Sequence, residues 1–427
     1  MINFSLPESA AYILQRLTES GHAAYLVGGC VRDTVVGRQV HDWDVATSAA
    51  PVDVAVLFPK TVLTGEKFGT VTVLIDGDAV EVTTFRVEGE YHDSRRPESV
   101  EFVSNLDEDL SRRDFTMNAM AISVTRRLID PFGGIKDIKK RIIRCVGDPN
   151  KRFSEDALRM FRAFRFSAQL GFMIGNRTMR AIHANADSAK LISAERVRVE
   201  LEKTLMSQRP EIIGDMIKAG LLARYTSMSS NKPIGLEKIE ELPMEPTVRW
   251  CALCAILLKE HSITSAMEFL HSLYLDGKTT RTCVRALSIS CFPCDQIEIK
   301  HLFIEYGVDA TRCAAAVFDI MANGLEQGSG LKKQRDSSSA FPDKIEDLSP
   351  CLAEPSTCYA RVNEIIASGE CFSLSKLAVS GSDLIALGHS PGQELGEMLD
   401  MLLNHVIEHP KDNTREVLLG VSCGRFS

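Results

Sequence analysis

No run of apolar residues in this chain of 427 is long enough to span a bilayer, which takes about 20 residues of helix. The opening MINFSLPESAAYILQRL has no basic segment ahead of an apolar stretch. Neither a membrane span nor a signal peptide is therefore expected. The twelve cysteines are scattered and form no secreted-protein framework, which suits a reducing cytoplasm better than a disulfide scaffold. The segment GEKFGT at 65–70 lacks the four-residue spacer of a phosphate-binding P-loop. An excess of positive charge is missing as well: the net charge is −8, which would argue against a polyanionic partner if it were evenly spread. The hydrophobic share of 44% and charged share of 25% are those of ordinary soluble domains, and the length allows two to four of them.

The charge is not even. Between residues 111 and 165 fourteen Lys or Arg stand against six Asp or Glu, a local balance of +8, so the rest of the chain sums to −16. A basic stripe on an acidic chain reads as a localised polyanion site. Taken alone, such a stripe also describes a solvated helix face.

Ahead of the stripe, residues 25–47 read YLVGGCVRDTVVGRQVHDWDVAT. The apolar run ending at Val27 breaks at Gly28 and Gly29, and Arg32, Asp33 and Gly37 follow. A strand, a glycine turn and a helix start would set backbone N–H groups against an anion. If 42–45 is a second strand, Asp42 and Asp44 project to one face, about 7 Å apart by the strand rise, and Trp43 and Val45 face the core. Two such carboxylates can share Mg²⁺, a hard ion that takes oxygen ligands and keeps its phosphate partners. A phosphate seat and a metal seat in one segment point to nucleotidyl transfer.

Downstream, residues 50–58 read as a helix opened by Ser48 and Pro51. Residues 68–75 and 78–86 alternate around Asp76 and Gly77, a hairpin signal. Glu81 shares parity with Thr83 and Phe85, so it either adds a third carboxylate to the active face or points into the core. The polar stretch 87–100, VEGEYHDSRRPESV, reads as a loop. Its Arg95 and Arg96 either reach a bound nucleotide or RNA, or belong to a surface excursion. In LSRRDFTMNAMA at 110–121, Arg112, Arg113 and Asp114 with Asn118 read as a helix start over a triphosphate, and Met117, Met120 and Ile122 pack inward.

Residues 154–166 read as a helix, with Ser154 as N-cap and Glu155 and Asp156 in the first turn, where acids suit the dipole. Asp156, Arg159, Arg162 and Arg165 recur every three residues, while Phe161 and Phe164 anchor other faces. Cytosine and adenine each present an amino donor beside a ring-nitrogen acceptor; uracil and guanine present a carbonyl beside an N–H. A carboxylate next to a guanidinium, Asp156 with Arg159, accepts from the first and donates to the second. Such an edge admits C and A and rejects U and G, whose groups would face like partners. The alternative is an i,i+3 salt bridge on a solvated helix.

In this order, the Gly-Gly-x-x-Arg-Asp turn, Asp42-Trp43-Asp44, RRDFTMNA, IDPFGGIKDI at 129–138, KRFSEDALRMFRAFRFSAQLGF at 151–172 and ERVRVELEKTL at 195–205 resemble the polymerase-β-like nucleotidyltransferases. More narrowly, they resemble the class II group that holds CCA-adding enzymes and bacterial poly(A) polymerases, over residues 25–205. HDWDVATSAAP looks more like the CCA-adding variant. The resemblance implies an α+β fold: a polymerase-β-like head with a small sheet over 1–145, then an all-helical neck (146–208), body (209–375) and tail (376–427). It implies template-independent addition of C, C and A from CTP and ATP to a tRNA 3′ end, with two Mg²⁺ held by Asp42 and Asp44. Gly28, Gly29 and Arg32 then seat the triphosphate, and the family match adds Arg113, Arg162 and Arg165 to nucleotide binding. The family reads the base with the counterparts of Asp156 and Arg159, and its 87–100 loop takes part in the switch to the last nucleotide. Rivals are an A-adding enzyme, a CC-adding enzyme, whose loop is shortened in the family, and a poly(A) polymerase. A dead RNA-binding protein is opposed by both metal carboxylates being present. No membrane or protein partner is expected.

Past residue 208 the sequence turns helical and says less. Residues 211–217, 250–258 and 265–273 read as amphipathic helices, and 323–350 as a linker or long loop. Cys251-x-x-Cys254 and Cys291-x-x-Cys294 have zinc-like spacing, but 36 residues separate the pairs and CALCAILL reads as core. His-Asp doublets occur only at 41–42 and 92–93, so no appended phosphohydrolase of the His-Asp type is expected. Residues 377–410 resemble the tail of CCA-adding enzymes of Gram-positive type, expected to touch RNA away from the chemistry.

Overall fold

Apolar side chains at Ile13, Leu14 and Leu17 give α1 (Glu8–Glu19) one wholly buried face, which it lays against a sheet. The computed structural model describes residues 6–65, 69–89, 100–226, 233, 235–257, 263–322 and 357–424. They fall into two compact units, 1–232 and 233–427.

The first unit is built on seven strands in the order β3-β4-β5-β2-β1-β8-β9. In chain order these are β1 (Ala24–Val27), β2 (Asp44–Thr47), β3 (Thr61–Gly65), β4 (Thr70–Ile75) and β5 (Asp78–Thr84), then β8 (Ala121–Ser123) and β9 (Leu128–Ile129). Between them, β6 (Arg86–Glu88) and β7 (Val100–Phe102) pair with each other, so the stretch read as a loop over 87–100 begins and ends in strand, and its residues 90–99 lie outside the described residues. β1 lies antiparallel to β2 and β8, and β2 runs parallel to β5 with Asp44 opposite Glu81. The hairpin expected at Asp76 and Gly77 forms, both residues having positive φ. Val27, Ala46, Phe85, Leu110, Ala119, Ala121 and Val146 share one apolar cluster at the centre of this unit.

Helices cover the sheet and extend the unit: α2 (Gly29–Val36), α3 (Pro51–Leu57), α4 (Leu106–Ser111), α5 (Gly134–Lys139), α6 (Pro149–Glu155), α7 (Leu158–Leu170), α8 (Asn176–Asn185), α9 (Ala194–Leu205) and α10 (Ile212–Lys218). A two-stranded pair, β10 (Ile142–Ile143) with β11 (Met173–Ile174), ties the start of this helical part to α7.

Three local expectations change. β2 begins at Asp44, where its pairing begins, so Asp42 precedes the strand and does not share its pleat. No helix starts at 110–121. The backbone around Asp114 is instead engaged with 144–146, through Thr116 N–H to Arg144 O and Val146 N–H to Asp114 O, and only a 3₁₀ turn, Thr116–Asn118, forms. The helix read from Ser154 is two helices. Asp148 caps α6 and Pro149 takes its first position, so Ser154 lies in the last turn; the chain breaks at Asp156 and restarts as α7.

In the second unit α11 (Pro246–Leu257) is buried on every side from Val248 onward. Around it and beyond it lie α12 (Ile263–Ser272), α13 (Gly277–Leu287), α14 (Gln296–Tyr306), α15 (Val308–Ala322) and α16 (Cys358–Ala367). Cys251 and Cys254 are core residues of α11, and Cys294 is disulfide-bonded. The chain ends in α17 (Gly381–Ala386), α18 (Gln393–Glu408) and α19 (Arg415–Ser422), around a core that includes Leu384, Leu402, Val406 and Leu418. No helix among the described residues is long and apolar enough to cross a membrane.

Candidate active site

β1 runs out into Gly28, whose φ of 77° lies in the left-handed region that glycine takes at little cost. A Cβ there would stand 3.2 Å from Arg113 Nη1 and 3.5 Å from Asp44 Oδ2. The bare backbone of the turn, the first residue of β2 and Arg113 therefore meet at one point. They line a cavity of about 460 Å³ together with Gly29, Arg32, Asp156, Arg159, Arg162 and Arg165. With Arg112, Asp114 and Asn118, which also line it, twelve residues singled out from sequence are thus brought together. Asp42 is exposed and is not among the lining residues. Arg95 and Arg96 lie outside the described residues.

The carboxylate side of the cavity holds concentrated negative charge. Asp44 is pushed up to about 6, first by burial and then by Glu81, with Asp42 adding to it and Arg113 opposing. Glu81, which sequence parity left open, is exposed opposite Asp44, while Val80 and Val82 beside it are buried. It belongs to the active face. No group of three or more His, Cys, Asp or Glu side chains among the described residues could hold a metal ion. The donor set fits a cation that takes only a few carboxylate oxygens and completes its shell with phosphate and water, and such a cation would relieve the repulsion that raises Asp44.

The cationic side is fixed by buried acids, of which Asp109 and Glu200 were not singled out from the sequence. Asp109, 1% exposed, accepts from Arg112 Nε and Nη2 at 3.0 and 2.7 Å and from Arg113 Nη2 at 3.1 Å. Burial works against its charge, yet the two guanidiniums hold its carboxyl below the usual range. Arg113 Nε remains buried without a partner beside the glycine turn. Asp114 takes Arg162 Nε at 2.8 Å, and Glu200 takes Arg165 Nε at 2.5 Å. Arg32 is held by Asp33 and by Asn118 Oδ1. The guanidiniums of Arg165, Arg32 and Arg162 lie 4.0, 5.0 and 5.4 Å from the ring centre of Phe166. A nearly buried aromatic thus gathers three cations by its ring face.

Asp156 and Arg159 share the cavity and are joined by a backbone bond, Arg159 N–H to Asp156 O at 3.0 Å, while their side chains are held by other partners. Asp156 Oδ2 accepts from Arg196 Nη2 at 2.8 Å, and Oδ1 accepts from the N–H of Leu158 at 3.1 Å, which shapes the break between α6 and α7. Arg159 Nη1 donates to Glu155 Oε2 at 2.7 Å and to Arg152 O, and its Nη2 donates to Arg112 O at 3.0 Å. Each half of the proposed base edge is therefore oriented by its own partner. Glu155 was visible in sequence only as a first-turn acid, and Arg196 had no signal of its own.

The sequence over residues 24–144 matches the family model described as "Poly A polymerase head domain", and residues 171–225 match "Probable RNA and SrmB- binding site of polymerase A". A CCA-adding enzyme of Geobacillus sp. (strain WCH70) is 37% identical over 416 residues, 96% of this chain and 95% of that protein. A CCA-adding enzyme of Bacillus velezensis is 36% identical over 416 residues, 95% of this chain and 96% of that one. The solved structure of the Bacillus stearothermophilus CCA-adding enzyme in complex with CTP superposes with a TM-score of 0.76 at 31% identity, covering 97% of this chain and 96% of that chain.

Proposed function

The chain belongs to the family of CCA-adding enzymes, and on that premise we propose how its own residues carry the reaction. The reaction is addition of C, C and A from CTP and ATP to the 3′ end of tRNA, without a nucleic-acid template and with release of pyrophosphate. Asp42 and Asp44 are assigned to a divalent metal, taken to be Mg²⁺, with Glu81 adding negative charge beside Asp44. When bound, such a metal activates the attacking 3′-hydroxyl and neutralises charge on the leaving pyrophosphate. Gly28 and Gly29 leave the backbone open to a triphosphate, and Arg32, Arg113, Arg162 and Arg165 balance its charge. Asp156 accepts from the amino group of C or A, since each of its oxygens retains an acceptor site beyond the bond it already makes. Arg159, held flat by Glu155 and two carbonyls, donates to the ring nitrogen. The head, neck, body and tail are assigned to 1–145, 146–208, 209–375 and 376–427, and the cytoplasm as the place of action.

The observation that supports this assignment is the convergence of Asp44, the glycine turn, the arginines, and Asp156 with Arg159 on one cavity. The test is Asp44→Ala. Incorporation of both C and A should vanish while affinity for tRNA stays near that of the parent, because phosphate contacts elsewhere position the RNA. Turnover that survives in the double variant Asp42→Ala, Asp44→Ala would overturn the metal assignment.

A further inference from the structure

The second unit is acidic: seventeen Lys or Arg against twenty-seven Asp or Glu, a net charge of −10 over residues 233–427. With acids in excess, a cation there readily finds a partner, and most arginines do. Arg249 donates to the carbonyls of Glu240, Leu242 and Pro243, Arg312 pairs with Glu245, Arg361 reaches the Cys294 carbonyl and Arg415 pairs with Asp383. Among the described residues of this unit, Arg281 and Arg285 are the arginines with neither a hydrogen-bond nor an ion-pair partner. They stand one turn apart on α13, where like charges at i,i+4 repel each other.

Both line a cavity of about 320 Å³, walled by α13 on one side and by residues 306–310 on the other. Lys278 lines it from the same helix. Asp309 is the one acid among the lining residues, and it lies 3.7 Å from Lys278, leaving the two guanidiniums uncompensated. Arg285 comes close to the opposite wall at Gly307, with Nη1 3.9 Å from where a Cβ would sit. A concave site with two unpaired guanidiniums, in a unit whose sequence is acidic, suits an anion whose oxygens accept from the guanidinium fork.

We propose that this cavity docks backbone phosphates of the RNA substrate, as a positioning site in the second unit distinct from the nucleotide cavity of the first. The proposal rests on the reading that the chain acts on tRNA. Phosphate contacts of this kind hold the RNA without reading its sequence, so they act on RNA affinity and leave the chemical step alone.

The test uses the full chain and a tRNA transcript ending before CC. Arg281→Glu and Arg285→Glu, singly and together, are compared with Lys238→Glu, which makes the same charge change away from the cavity, and with the double variant Arg281→Lys, Arg285→Lys. Binding of the tRNA is titrated by fluorescence anisotropy across a salt series, and C addition is followed at varied tRNA and varied CTP. The cavity reversals should weaken tRNA binding roughly tenfold or more and reduce the slope of log affinity against log salt by roughly 1 to 2, about one counterion for each phosphate deprived of its arginine. KM for tRNA should rise with kcat and KM for CTP unchanged. Lys238→Glu should change the slope little, and the lysine variant should keep most of it. Reversal variants that match the parent in affinity and salt slope, or that fall no further than Lys238→Glu, would overturn the site. If the parent adds no nucleotide to tRNA, the reading of function fails on that ground alone, and the site is judged by binding.

Discussion

Asp114 is 7% exposed and accepts from the Phe115 N–H, the Asn118 amide and the Arg162 guanidinium. Burial alone would push its carboxyl up, but Arg162 and Asn118 overcome that and hold it down to about 2, against an ordinary 3.8. A folded-state value below the unfolded one stabilises the fold fully above about pH 4, and that contribution is lost as the pH falls toward 2. The difference corresponds to about 2 kcal/mol. Asp114→Asn should therefore lower the unfolding free energy near neutral pH by about that amount. In urea titrations the gap between parent and variant should close over that acid window. A gap that stays constant with pH would contradict the ion-pair account.

Asp156 and Arg159 carry the sharpest residue-level claim. Arg159→Ala leaves the ring nitrogen of C or A without its donor, costing roughly 1–3 kcal/mol, or about tenfold or more in discrimination. It should also relax the rejection of UTP. Because Arg159 also grips Glu155 and the Arg112 carbonyl, some loss of overall rate will accompany the change. The ratio among CTP, ATP, UTP and GTP separates the two effects. Unchanged ratios in both Arg159→Ala and Asp156→Ala would return the pair to a structural role.

At the scale of elements, α4 ends in a brace. Asp109 holds the guanidiniums of Arg112 and Arg113 and accepts from the N–H of Arg86, while Arg112 Nε reaches back to the Arg86 carbonyl. The same carboxylate thus fixes an arginine assigned to the triphosphate and Arg86, the first residue of β6. Asp109→Ala should raise KM for CTP and ATP by about tenfold, the loss of one charged hydrogen-bond partner, with tRNA affinity unchanged. Equal loss of nucleotide and tRNA binding would point to local unfolding instead.

What could be read from sequence divides along the same lines. The turn at Gly28, the hairpin at Asp76 and the amphipathic helices were legible because each is set by local spacing. The break at Asp156 was not, since its carboxylate is taken by Arg196, forty residues away, and the helix start is claimed earlier by Asp148 and Pro149. The side on which Glu81 lies depends on the parallel pairing of β2 with β5, which no local pattern encodes. Likewise Asp109 and Glu200 look like surface acids until the fold buries them against arginines.

Over the whole molecule, the residues assigned to metal, triphosphate and base belong to the first unit, and Asp44 and those assigned to triphosphate and base line one cavity, with Asp42 and Glu81 outside its lining. The central claim is that this one cavity serves both CTP and ATP. The direct measurement is steady-state incorporation by the full chain into tRNA transcripts ending before, within and after CC. Each of the four nucleotides is supplied alone, and the other cognate nucleotide is then added as an inhibitor. The account predicts C on the first two ends, A on the third, nothing after the A, and no use of UTP or GTP. It further predicts that ATP inhibits C addition by raising KM for CTP with kcat unchanged, and that CTP acts likewise on A addition. Inhibition that lowers kcat alone, an extended run of A, or failure to add C would contradict it.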